Sequence, residues 1–258
     1  PHYARTAYTI EREFSRRGYE VILCNTGGDR AETLRYLQAV NQKQVDGIVL
    51  VGSVFDTICQ GTEMEKLLTG VPVVLANGKL DLPNAYSVTV DDKYGVSLAV
   101  EHLVARGRKN IYYIKDRDTD SAKSKRDGFL EAMRRNGLEF ADHVLEAGET
   151  LASGMETVQA LLAQGIVPDG IVCGEDLTAA GALKALLRAG LRVPGQVAVV
   201  GFNNSDYAHL CEPVLTSVDN KPEQVALLCV QLLESSIERS EAYSSVVLQP
   251  ELAQGETS

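Results

Sequence analysis

Short apolar runs alternate with stretches of helical spacing along nearly the whole of the 258-residue chain. That alternation predicts βαβ units and a parallel sheet. The runs predict strands at Val21–Cys24, Gly47–Val51, Val73–Ala76, Ser87–Val90, Ile111–Lys115, His143–Glu146, Gly170–Cys173, Val197–Phe202 and Ser245–Leu248. Between them, Ala7, Ile10 and Phe14 share one helical face and Gly18 follows. Val96, Val100, Leu103 and Val104 do the same before Gly107, as do Leu183, Leu186 and Leu187 before Gly190. Each pattern predicts a short amphipathic helix that covers a sheet and stops at a glycine. No Pro- or Ser-rich linker, low-complexity tract or fixed-period repeat divides the chain. Its length suits two domains, and without a linker the chain is expected to cross between them more than once.

Polar residues stand just past many of these strands: Ser53, Asn77 with Gly78, Asp91 with Asp92, Asp116, Glu175 with Asp176, and Asn203 with Asn204. In a doubly wound sheet such strand ends share one edge, where ligands bind. Each also has a local reading. Asp92 and Asp176 directly precede helices and suit N-caps. Asn203 and Asn204 suit an Asx-turn, and Asn77 before Gly78 suits a turn.

Composition narrows the chemistry. The net charge is −10 and the 25 Lys and Arg are scattered, which disfavours binding of a phosphate backbone by these residues. No apolar run approaches the roughly 18 residues of a membrane span, so no membrane contact is expected. The chain has no G-x-S-x-G, G-x-x-x-x-G-K-[ST], G-x-G-x-x-G or H-E-x-x-H motif, and no C-x-x-C pair. Neither a cofactor, a metal nor catalysis is therefore expected; the carboxylates of Asp92, Glu175 and Asp176 are the only acid–base candidates, and no nucleophile accompanies them. Cys24, Cys59, Cys173, Cys211 and Cys229 are far apart and mostly set in apolar runs, as reduced core thiols of a cytoplasmic protein are.

The chain resembles the effector-binding core of LacI-family (LacI/GalR) transcription regulators over nearly its whole length. The resemblance is carried by "RRGYEVILCNT" at Arg16, "VDGIVLVGS" at Val45, "GVPVVLAN" at Gly70 and "SVTVDDKYGVSLAVEHLVARGRKNIYYI" at Ser87. Its most specific part is "AAGALKALLRAGLRVPGQVAVVGFNNSD" at Ala179, followed by "EPVLTSVDNKP" at Glu212. It implies a periplasmic binding protein-like α/β fold: two Rossmann-like parallel-sheet lobes, three crossovers and a ligand cleft between the lobes. The lobes would be residues 1–106 plus 219–240 and residues 107–218 plus 241–258. The family's DNA-binding headpiece and first strand would precede Pro1.

The resemblance also implies a site of Ser53, Asp91, Asp92, Lys125, Glu149, Glu175, Asp176 and Asn203, with three departures. Lys125 stands where an arginine usually precedes a Gly-aromatic pair, here Gly128 and Phe129; the charge stays but the bidentate fork is lost. Glu149 stands where some relatives place an aromatic that packs on the ligand. Asn203 replaces a frequent aspartate and offers both a donor and an acceptor. The implied function is effector sensing and dimerisation for a repressor: a small polar ligand, sugar or sugar-like, switches operator affinity by lobe movement. A periplasmic sugar-binding protein of a transport system is the alternative. A homodimer is expected, with Leu177, Tyr207 and Leu210 in its interface, and operator DNA would be bound through the headpiece.

Overall fold

A computed structural model describes residues 2–238 and 244–258, which divide into two compact units. The first comprises Pro1–Val90 and Lys221–Leu248, the second Asp91–Asn220 and Gln249–Ser258. The chain thus passes between units after Val90, after Asn220 and after Leu248.

The first unit runs α1 (His2–Arg16), α2 (Arg30–Gln42), β1 (Ile48–Val51), α3 (Phe55–Ile58), α4 (Thr62–Leu68), β2 (Val73–Ala76) and β3 (Ala85–Val90). The second runs α5 (Asp92–Ala105), β4 (Ile111–Lys115), α6 (Asp120–Arg135), β5 (Val144–Glu146), α7 (Leu151–Ala163), β6 (Gly170–Cys173), α8 (Asp176–Arg188), β7 (Ala198–Phe202), α9 (Asp206–His209) and β8 (Thr216–Asp219). Helix α10 (Pro222–Glu238) and β9 (Val246–Leu248) return to the first unit, and β10 (Glu251–Ala253) to the second.

The first sheet has the order β1-β2-β3-β9, parallel throughout. The period-two alternation of a strand sends Val74 and Ala76 into a core with Ile10, Phe14, Val225 and Val230 of α1 and α10, while Val73 and Leu75 face Leu37, Phe55, Met64 and Leu68. The second sheet has the order β10-β8-β7-β6-β4-β5, antiparallel only at β10. One face buries Ile111, Tyr113, Val172 and Val200 against Val96, Leu103, Phe129 and Met133. The other buries Ile114, Ile171, Cys173 and Val199 against Val158, Leu183 and Leu186. Each fully buried large side chain contributes roughly 1.5–3 kcal/mol of transfer free energy. Helices α7 and α8 meet at backbone distance: a Cβ on Gly181 would lie 2.2 Å from the Leu151 carbonyl oxygen, and one on Gly154 would lie 2.4 Å from that of Thr178. Among the described residues no helix is long and apolar enough to cross a membrane.

Several expectations change. Val21–Cys24 forms no strand, because among the described residues no segment ladders with it; β1 pairs with β2 alone, and Ile22 and Leu23 are exposed. Two unexpected strands appear, β8 and β10. The hydroxyls of Thr216 and Ser217 in β8 are fully buried but partnered, Thr216 Oγ1 accepting from the Gly255 N–H and Ser217 Oγ donating to Asp176. The domain boundary lies at Val90 rather than residue 106, since α5 packs on α6 and contributes Val96 and Leu103 to the second core. Strand β9 belongs to the first sheet rather than the second lobe, because it ladders with β3. The expected division between residues 240 and 241 lies outside the described residues. Leu187 is 42% exposed and so lies off the buried face of α8.

Candidate functional site

Strands β8, β7, β6 and β4 are neighbours and parallel, so their carboxyl ends share one edge of the second sheet. The helices that follow β4 and β6 begin there, and so does α5. This edge gathers Asp92, Lys125, Glu175, Asp176 and Asn203 of the expected residues.

Lys125 lies in the second turn of α6 and is only 6% exposed. Its Nζ donates to the Gly174 carbonyl oxygen at 2.9 Å, sits 3.9 Å from the centroid of the Phe202 ring and lies 4.0 Å from Glu175 Oε1. A buried ammonium is costly unless paired, and here a carbonyl, an aromatic face and a carboxylate share the task. Gly174 has to be glycine for this packing, because a Cβ there would stand 2.9 Å from Asp116 Oδ1.

Glu175 precedes α8, with its side chain 25% exposed. Asn203 Nδ2 donates to Glu175 Oε2, and Asn220 Nδ2 donates to Asn203 Oδ1 at 2.7 Å. Arg117 Nε stands 3.9 Å from Glu175 Oε1. Burial pushes the Glu175 carboxyl up to about 7, although the nearby Lys125 charge opposes the rise. Asn203 is 3% exposed and has φ 99°, and Asn204 has φ 47°. Asparagine tolerates this region better than most residues, and the two amides carry the turn that ends β7. The local reading of Asn203 and Asn204 as the bend after β7 holds.

Asp176 is 1% exposed and fully engaged within the protein. Ser217 Oγ donates to its Oδ1 at 2.6 Å, and the Ser205 N–H and Oγ donate to its Oδ2 at 2.6 and 2.8 Å. Burial raises its carboxyl above the usual range against these hydrogen bonds. It ties the loop after β7 to α8 and β8. Asp92 accepts from Ser121 Oγ at 2.6 Å; burial raises this carboxyl too, with Lys125 and Ser121 opposing. Asp116 accepts from Thr178 Oγ1 at 2.9 Å.

Other expected residues lie elsewhere. Asp91, not Asp92, is the N-cap of α5 and accepts from the Tyr94 N–H at 2.9 Å. Likewise Glu175 occupies the N-cap position of α8, and Asp176 is the first helical residue. Glu149 has a side chain 54% exposed and meets Arg117 at 3.2 Å, so it is a solvent-facing ion-pair partner. Ser53 is buried in the first unit, just after β1. Asn77 takes φ 56° in the bend after β2, and its N–H donates to the Val88 carbonyl oxygen at the end of the β2–β3 ladder. The structure adds Arg117 and Asn220, which sequence reasoning passed over. Arg117 stands two residues past β4, within reach of the strand-end rule; Asn220 follows β8, a strand the apolar pattern does not reveal.

The edge therefore offers a fixed cation, carboxylates and a carboxamide with both hydrogen-bonding senses, a set suited to a hydroxyl-rich molecule. Among the described residues no group of His, Cys, Asp and Glu side chains is arranged to hold a metal ion.

Residues 100–258 match the family described as periplasmic binding protein-like domain. An HTH-type transcriptional regulator of Lachnoclostridium phytofermentans is 31% identical over 233 residues, covering 89% of this chain and 70% of that protein. The ribose operon repressor of Halalkalibacterium halodurans is 31% identical over 240 residues, covering 93% of this chain and 70% of the repressor. Among solved structures, a transcriptional regulator CelR-cellobiose complex superimposes with a TM-score of 0.88 at 27% identity, covering 100% of this chain and 79% of that one. These relatives are regulators, not enzymes, which favours regulation over the alternative of sugar transport. The chain belongs to the LacI family of transcriptional regulators and carries their periplasmic binding protein-like domain.

Proposed function

We propose that this domain senses a small polar effector, a sugar or sugar-like molecule, at the carboxyl edge of the second unit's sheet. Lys125, Glu175 and Asn203 contact it, while Asp92, Asp176 and Asn220 hold those three in place. The observation that carries this reading is the Lys125, Glu175 and Asn203 group: a buried cation, a carboxylate and a carboxamide from separate elements, held within hydrogen-bonding or ion-pair reach of one another. Such a group is expensive to bury unless it has work to do. The names of two relatives, a ribose operon repressor and a cellobiose complex, support a sugar-like ligand.

No bond is made or broken in this reading. Effector binding biases the domain between two states and so sets the operator affinity of a cytoplasmic repressor, by no more than its differential affinity for those states. The net charge of −10 disfavours DNA contact by this domain itself, so operator DNA is the partner of a headpiece outside it. The domain acts as a homodimer; Leu210, 80% exposed beside the half-buried Tyr207, suits a self-complementary patch.

A thermal-shift screen against sugars, sugar phosphates, polyols, nucleosides and amino acids tests the reading. A ligand at about 100 times its dissociation constant adds about 2.7 kcal/mol of stability and raises the melting temperature. Asn203→Ala should abolish the shift; an unchanged shift removes Asn203 from the site.

A further inference from the structure

The partners of Glu175 differ in kind from those of the carboxylates around it. Asp176, Asp116 and Asp92 each accept from serine or threonine hydroxyls. Glu175 accepts from a carboxamide, Asn203 Nδ2, and that amide is held on its other side by a second carboxamide, Asn220. Its cations stand off at 4.0 Å for Lys125 and 3.9 Å for Arg117, and each is engaged elsewhere, Lys125 with Gly174 and Arg117 with Glu149.

The charged and titratable groups facing Glu175 come from every side. Lys125 comes from α6, Tyr113 from β4, Asp116 and Arg117 from the segment after β4, and Asp176 from its own helix. Asp116 and Asp176 oppose ionisation while Lys125 and Arg117 favour it, and burial tips the balance toward the neutral acid.

A carboxamide can serve either form of an acid, giving Nδ2–H to a carboxylate or, after a half-turn, Oδ1 to a carboxylic acid. A hydrogen bond between two carboxamides survives such a half-turn if both make it. An aspartate at position 203 would satisfy only the protonated pair.

We propose that Glu175 and Asn203 form a proton switch. One proton from solvent converts the Glu175 carboxylate to an acid, whose O–H then donates to Asn203 Oδ1. The Asn203 carboxamide turns its Nδ2 toward Asn220, and the Asn220 amide reverses with it. The sheet edge then presents a different pattern of donors and acceptors on either side of neutral pH. The switch needs no effector. Only its consequence, an effector affinity that changes across that range, rests on the function proposed above.

Carbon-13 NMR of the Glu175 side-chain carboxyl, followed against pH in the whole chain, tests the switch directly. The expected midpoint is about 7, with the side-chain amide resonances of Asn203 moving at the same midpoint. Asn203→Asp should raise the midpoint by about one unit or more, because two carboxyls at this distance share a proton. Glu175→Gln assigns the resonance by removing it; if that variant does not fold, the resonance that Asn203→Asp moves furthest provides the assignment. A Glu175 midpoint near the ordinary carboxylate value overturns the switch, as do Asn203 resonances that stay flat through the titration. Failure of every ligand in the thermal screen would leave this titration standing, whereas a bound ligand with a flat titration would overturn the switch alone.

Discussion

Strand β2 in the first unit and β6 in the second are both buried along their whole length, yet the residues that follow them differ in kind. After β2, Asn77 takes a left-handed conformation and its N–H reaches Val88, carrying the β2–β3 ladder one residue further. After β6 come Gly174, Glu175 and Asp176, which join Lys125, Asp116 and Asn203 in a network of buried charge. A parallel sheet must stop its apolar strands with polar residues in either case. The loop after β2 needs one carboxylate, Asp56, which accepts from the Lys79 N–H at 2.6 Å, whereas the second edge joins several buried charges. That difference supports the effector site proposed at the second unit's edge.

The largest test of this contrast is Lys125→Met. It removes the buried cation that Glu175 and Asp92 share, and breaking a buried charge pair from one side costs about 3–5 kcal/mol. Urea unfolding should show the loss at about pH 8 and a smaller one at about pH 6, where Glu175 holds its proton. An equal loss at both would break the link between lysine and carboxylate. A smaller effect separates packing in the two units. Gly181→Ala drives a Cβ to 2.2 Å from a backbone oxygen and should cost about 2 kcal/mol even after the helix propensity of alanine. Gly47→Ala in the first unit meets the Leu233 side chain, at 2.7 Å from its nearest methyl, rather than backbone, and should cost less, about 1 kcal/mol. Unfolding midpoints in reverse order would refute the backbone contact of α7 with α8.

The smallest effect is a slope. The folded Glu175 holds its proton up to about 7 while the unfolded chain releases it near 4.5. In that window the native state binds more protons, so stability falls as pH rises. Its contribution is full below about 4.5 and lost as pH passes 7. Burial shifts Asp92 and Asp176 in the same direction, so each also lowers stability as pH rises through its own folded range. Glu175→Gln should flatten part of the decline and melt a few degrees above the parent at about pH 8. A parent-like slope would deny Glu175 its raised affinity for protons.

Much of this was legible before any coordinates. Strands β2, β4, β6 and β7 are runs of buried apolar residues that only a covered parallel sheet accepts. Strand β8 is masked in the sequence because Thr216 and Ser217 interrupt the apolar pattern of a covered strand; their hydroxyls find partners only in three dimensions. Val21–Cys24 shows the converse, an apolar run with no ladder partner among the described residues. Glu175 and Asn203 could be named from the sequence because strand ends and a family pattern coincide at them, and Lys125 from the family pattern alone. Asp91 and Asp92 exchanged roles because helix starts shift by a residue. Asn220 could not be found without β8, and nothing in the spacing of Asp176 announces that Ser205 and Ser217 occupy its carboxylate.

The most direct test of the central claim is chemical-shift mapping of the isotope-labelled chain with the strongest sugar or polyol from the thermal screen. The account predicts that the largest perturbations fall on the Lys125 ammonium, the Glu175 carboxyl and the Asn203 amide, and that Asn203→Ala removes them. Perturbations that leave these three groups unchanged would contradict it.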